Sequence, residues 1–194
     1  MKPAFDPKTG AELLRQRIGG PVDTAIVLGT GLGPLADAVP NPVVVPYADI
    51  PGFPPAGVSG HAGRAVIGLL GKRRVLLMQG RAHYYESGDA AVMRPALEIL
   101  KAVGVRTLLL TNAAGSLRPE MPPGSLCIIR DHINMSGANP LIGDRGDGRF
   151  VPMNDAYSPA LRRRLAAAAR TAGLTVGEGV YCWVSGPSFE TPAE

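Results

Sequence analysis

The sequence predicts an α/β fold with a mixed central β-sheet flanked by helices, and three observations carry that expectation. Apolar runs of strand length alternate with segments whose apolar residues recur at helical spacing, while glycine and proline fall between them as punctuation. The segment marked by Met93, Ala96, Leu97, Leu100 and Val103 has helical spacing, stops at Gly104 and passes straight into the strand-like Arg106-Thr-Leu-Leu-Leu110. The runs 64–70 and 73–78 are separated only by the Gly71-Lys72 turn, a connection so short that the two strands must pair antiparallel, which makes the sheet mixed.

In chain order, a first helix is expected over 10–18 with Gly19 as its stop, followed by strands at 24–28 and 43–47. The hairpin of 64–70 and 73–78 comes next, then the helix ending at Gly104 and the strand 106–110. A further strand is expected at 125–130. Ser158 and Pro159 are a cap and a first-turn proline, so a helix starts there and runs to Gly173. Its apolar stripe is read as Leu161, Leu165, Ala168 and Ala172, which leaves Arg162-Arg-Arg164 on a solvated face. A long strand at 175–184 completes the pattern.

With 194 residues, 45% hydrophobic and 19% charged, the chain buries a real core, and its length fits one domain over 1–194. It contains no run of about 18 apolar residues, and Met1-Lys-Pro-Ala-Phe-Asp-Pro7 lacks the apolar centre of a signal peptide. The expected setting is the cytoplasm, with no membrane association. The net charge of +4 is spread along the chain, so nucleic acid is not an expected partner. Cys127 and Cys182 fall in apolar strand-like runs, where small buried thiols are expected and a disulfide is not. His61, His83 and His132 lack ligand spacing, so no metal site is expected, and His132 is read as structural.

The stretch Ala25-Ile-Val-Leu-Gly-Thr-Gly-Leu-Gly-Pro34 opens like a dinucleotide fingerprint, but proline stands where its third glycine belongs, and no acidic strand end follows about 20 residues on. The glycines still let backbone N–H groups converge on an anion. Apolar strands also run into Gly80-Arg-Ala-His-Tyr-Tyr-Glu86, Asn112-Ala-Ala-Gly-Ser116 and Ser185-Gly-Pro-Ser-Phe-Glu190. Loops at strand carboxyl ends are where open α/β sheets bind ligands, so a single site built from four loops is the economical reading. A glycine turn, an arginine fork and a nearby histidine suit phosphate or another small oxyanion. Tyrosine, phenylalanine and glutamate suit a ring that is stacked and hydrogen-bonded along one edge. Each residue also has a structural alternative: an ion pair for Arg81, a satisfied polar group for His83, a helix N-terminal acid for Glu190 and simple packing for Phe150.

Taken together, Gly29-Thr-Gly-Leu-Gly33, Gly60-His-Ala-Gly63, Gln79-Gly-Arg-Ala-His-Tyr-Tyr-Glu86, Thr111-Asn-Ala-Ala-Gly115, Asp131-His-Ile-Asn134, Asn139-Pro140 and Gly186-Pro-Ser-Phe-Glu-Thr191 resemble, in order and approximate spacing, the trimeric purine nucleoside phosphorylases. The resemblance covers nearly the whole chain. It implies that phosphate meets Thr30, Arg81, His83 and the Ala113 backbone, with His61 on a loop gating that side. Thr30 stands where serine is often found and keeps the hydroxyl. By the same resemblance Tyr85 meets the ribose, and Phe150 closes a neighbouring subunit's ribose pocket in a homotrimer. Ala113, Ala114, Gly115, Phe189 and Glu190 meet the purine. His83 and Glu190 are the residues expected to act on the reacting groups.

The implied reaction is phosphorolysis of purine nucleosides and deoxynucleosides, with inosine and guanosine preferred because Glu190 faces an N1–H. Phosphate is a co-substrate and no cofactor is implied. The nearest enzyme alternative is 5′-methylthioadenosine phosphorylase, and the alternative outside enzymes is a catalytically silent nucleoside-binding fragment. The family pattern continues beyond Glu194, so the sequence is read as lacking the C-terminal part of the domain, and the isolated 194-residue chain is expected to have little or no activity.

Overall fold

The computed structural model describes residues 6–55 and 62–194. The chain divides into two compact units, one running to Ala113 and one from Ala114. The first begins with helix α1 (Pro7–Ile18), whose Asp6 side chain accepts the Lys8 N–H at 2.9 Å. That aspartate and the proline after it start the helix three residues earlier than the apolar periodicity indicates. Gly19 ends it in the left-handed conformation. Strands β1 (Thr24–Leu28), β2 (Val43–Pro46), β3 (Arg64–Leu70) and β4 (Arg73–Gln79) follow. A one-turn helix α2 (Tyr84–Ser87), helix α3 (Arg94–Val103) and strand β5 (Thr107–Leu110) complete the unit.

The five strands form one mixed sheet in the order β2-β3-β4-β1-β5. β1 lies parallel to β4 and β5, while β3 pairs antiparallel with both β2 and β4. The hairpin expected at Gly71 is present, and Gly71 has a φ of +62°, which glycine adopts without the strain a Cβ would bring. Strand alternation divides the core between the two sheet faces. Ala25, Val27, Ala65, Ile67, Leu76 and Met78 pack with Leu14 and Ile18 of α1 and with Ala96, Ile99 and Leu100 of α3. Ile26, Leu28, Val66, Val75 and Leu77 face the other way, against Ala36 of a short 3-10 segment and Val39, which follows it. Full burial of one such aliphatic side chain stabilises the fold by about 1.5–3 kcal/mol, which is why this sheet carries the stability of the unit.

The second unit is a parallel pair, β6 (Leu126–Asn134) and β7 (Val176–Trp183), joined through helix α4 (Pro159–Thr171). Parallel neighbours need a long crossover, and α4 supplies it while packing on β6. Ser158 caps α4 by accepting the Leu161 N–H at 3.4 Å. β6 runs four residues beyond the expected 125–130, because a bulge between Ile129 and Asp131 restores pairing of Asp131–Asn134 with Val180–Trp183. The arginine cluster is also corrected at one position. Arg162 is half-buried and forms an ion pair with Glu178 of β7, so it belongs to the covered face of α4. Cys127 and Cys182 are exposed rather than buried; Cys182 falls on the open side of β7, where exposed and partly covered positions alternate, and Cys127 lies in the exposed start of β6. Among the described residues, no helix is long and apolar enough to cross a membrane.

Candidate active site

Because β4, β1 and β5 are adjacent and parallel, their carboxyl ends open on one edge of the sheet. The three loops that leave there carry Thr30, Arg81, His83 and Ala113, so the first unit brings these four sequence-predicted residues to one edge. The Leu32 N–H closes a turn on the Gly29 carbonyl at 3.1 Å, and the exposed Thr30 lies within that turn. Gly29 is required by close approach, since a Cβ there would lie 2.8 Å from the Thr111 carbonyl oxygen and 3.1 Å from Asn112 Cα.

The polar groups beneath these loops are tied together. Thr111 Oγ1 accepts the Gly29 N–H at 2.8 Å and donates to the Val27 carbonyl at 2.8 Å. The half-buried Arg81 donates from Nη1 to the Thr111 carbonyl at 2.5 Å. Gln79, the buried polar residue at the end of β4, donates from Nε2 to the Gly33 carbonyl at 2.8 Å and accepts from Arg64 Nε at 2.5 Å. The Tyr47 hydroxyl donates to the Gly80 carbonyl at 2.8 Å. Burial pushes that phenol well above its ordinary range, so it stays a donor throughout the pH range in which proteins work.

His83 caps α2 through a reciprocal box with Glu86. The Glu86 carboxylate accepts the His83 backbone N–H at 2.6 Å and lies 3.0 Å from Nδ1. The His83 ring also stacks on Tyr85, with centroids 5.0 Å apart and planes 16° from parallel. The expected ribose residue Tyr85 therefore stands beside the expected phosphate residue His83. The loop reading of 80–86 missed α2, because four residues are too few to show a period.

In the second unit, Ala114 and Gly115 open the chain segment and are exposed. Phe150 follows a 3-10 turn at Asp147–Arg149, and the Arg149 guanidinium carbon lies 4.8 Å from its ring centroid. Phe189 and Glu190 follow β7, and Phe189 is 93% exposed, so packing within the chain does not account for it. His132, read as structural from the sequence, faces Tyr157, whose hydroxyl lies 3.1 Å from Nδ1. His61 lies outside the described residues.

Sequence reasoning gave no role to Thr111, Gln79, Tyr47 or Glu86. The signal for Gln79 and Thr111 was present, since each is a lone polar residue at the end of an apolar strand. Their partners depend on strand order and register, which no local pattern displays.

Residues 23–194 match the family model of the phosphorylase superfamily. Purine nucleoside phosphorylase 1 of Geobacillus stearothermophilus is 44% identical over 187 residues, covering 95% of this chain and 68% of that protein. The crystal structure of a Schistosoma mansoni purine nucleoside phosphorylase in complex with acetate superposes with a TM-score of 0.89 at 35% identity, over 97% of this chain and 72% of that one. Isoform 2 of the enzyme from the same organism, in complex with cytosine and ribose-1-phosphate, gives 0.88 at 33% identity, over 96% and 68%.

Proposed function

The chain belongs to the phosphorylase superfamily, where its relatives are purine nucleoside phosphorylases, and from that premise we propose that it cleaves purine nucleosides with inorganic phosphate, releasing the free base and a pentose 1-phosphate. The observation that carries this reading is the convergence of a glycine turn, Arg81 and His83 at the carboxyl ends of three adjacent parallel strands. A turn with backbone donors, a guanidinium fork and an imidazole match a tetrahedral dianion. In this reading Thr30, Arg81, His83 and the Ala113 backbone bind phosphate. Tyr85 and a neighbouring subunit's Phe150 enclose the sugar, while Ala113, Ala114, Gly115, Phe189 and Glu190 meet the base.

The chemistry asks for positioning and electrostatics. As the glycosidic bond lengthens, its electron pair leaves with the purine and positive charge grows on the sugar. A phosphate oxygen then forms the new bond at the same carbon. Arg81 and His83 hold the dianion beneath that carbon, where it is both nucleophile and compensating charge. The Glu190 carboxylate accepts the N1–H of a 6-oxopurine. Adenine offers a lone pair there instead, so a buried polar group would be left unpaired, a mismatch that discriminates by roughly 10⁴ or more. No metal or organic cofactor is drawn on. The proposal includes a cytoplasmic homotrimer.

The protein expressed from its own gene should release hypoxanthine from inosine only when phosphate is present, with ribose 1-phosphate as the second product. Release of base without phosphate would make it a hydrolase and overturn the reading. Turnover of methylthioadenosine with none of inosine would leave phosphorolysis standing and overturn the role of Glu190.

A further inference from the structure

The end of β5 departs from a regular parallel ladder in a way that bears on the phosphate side. Val27 pairs with Leu110, and the Thr111 N–H donates to the Val27 carbonyl at 3.2 Å, as the ladder requires. The next bond of a regular parallel ladder would run from the Gly29 N–H to the Thr111 carbonyl. Here the Gly29 N–H goes to the Thr111 hydroxyl at 2.8 Å, and that hydroxyl donates to the Val27 carbonyl at 2.8 Å. The Thr111 carbonyl takes Arg81 Nη1 at 2.5 Å. The hydroxyl thus stands in for a ladder acceptor, and the carbonyl it relieves holds the arginine. With its proton given to Val27, the hydroxyl serves the fold and has none left to donate to a ligand.

We propose that Thr111 is a positioning residue for the phosphate site: its hydroxyl pins the glycine turn at Gly29 and thereby reserves its own carbonyl as the anchor that aims Arg81. This rests on the phosphorolysis reading above. Without the hydroxyl, the Gly29 N–H has the residue 111 carbonyl as its nearest replacement acceptor, and Arg81 must share or lose its anchor. Phosphate then meets both a loosened turn and a misaimed guanidinium, while the base and ribose contacts are unchanged.

The test is to measure the KM for inorganic phosphate, the KM for inosine and the Tm in the parent protein, Thr111→Val and Thr111→Ser. Valine keeps the shape and removes the hydroxyl, whereas serine keeps the hydroxyl and removes the methyl. Thr111→Val should raise the phosphate KM about tenfold, equivalent to about 1.4 kcal/mol, with the inosine KM within about twofold of the parent. Thr111→Ser should return the phosphate KM to within about twofold of the parent, whatever its Tm. A lower Tm in Thr111→Val with an unchanged phosphate KM would reduce Thr111 to a structural residue and overturn the inference. If the valine variant does not fold, serine decides alone, since a raised phosphate KM with the hydroxyl retained is equally fatal. If the protein expressed from its own gene, taken as the parent throughout, shows no phosphate-dependent turnover and no rise in Tm with phosphate, the phosphorolysis reading falls instead, and this inference with it.

Discussion

At the scale of single residues, Arg81 has two claims on it. One end of its guanidinium is anchored on the Thr111 carbonyl, and the fork brings a positive charge to the carboxyl edge of the sheet where the loops after β1, β4 and β5 leave. Charge-assisted bonds to an anion are worth roughly twice neutral ones, so Arg81→Ala should raise the phosphate KM about a hundredfold, equivalent to roughly 2–3 kcal/mol, while free hypoxanthine binds as before. Equal loss of base affinity would mark a folding defect and count against the phosphate role. The placement of Arg81 and His83 at this edge was legible in the sequence because they follow directly on the apolar run of β4. Thr111 was not, since a hydroxyl that substitutes for a ladder carbonyl is visible only once the register of β1 against β5 is known. Glu86 was also missed, because its bond to His83 depends on a helix of four residues.

Elements whose limits are set by local chemistry were the ones the sequence located well. The ends of α3 and β3, and the turn between β3 and β4, follow from Gly104, a continuous apolar run and Gly71. Limits set by a partner were missed. β6 extends to Asn134 only because a bulge resets its pairing with β7, and Arg162 is covered only because Glu178 waits on that strand. The start of α1 is a middle case, where Asp6 and Pro7 are readable signals that outweigh the later onset of apolar periodicity. A capping carboxylate satisfies a helix N–H that has no partner within the helix. Asp6→Ala should therefore destabilise the protein by about 1 kcal/mol in denaturant unfolding, with phosphate and inosine KM unchanged. A change below a few tenths of a kcal/mol would show that the first turn of α1 is held by packing of Gly10, Ala11 and Leu14 instead.

At the scale of the whole molecule, the core of the first unit was legible because strands covered on both faces read as continuous apolar runs, as in β1 and β4. The second unit resists such reading. Its two strands bury no side chain fully, and large apolar residues such as Phe150, at 70% exposure, remain on the surface of the single chain. The proposed trimer would give Phe150 a specific partner, the ribose of the adjacent subunit. In the proposed head-to-tail ring each site would combine one subunit's own Glu190 with its neighbour's Phe150. Phe150→Ala and Glu190→Gln proteins should each turn over inosine poorly at limiting nucleoside, for different reasons. Co-expressed in equal amounts, they should assemble at random, so that about a third of the sites in mixed trimers, and roughly a quarter of all sites, have an intact Glu190 beside an intact Phe150, and the rate should recover toward a quarter of the parent. Sedimentation at three times the chain mass, with recovery on co-expression but not on mixing preformed trimers, is the expected result. Trimers that form without any recovery would mean that Phe150 serves its own subunit or no site at all, and a monomer at catalytic concentration would remove the shared pocket altogether.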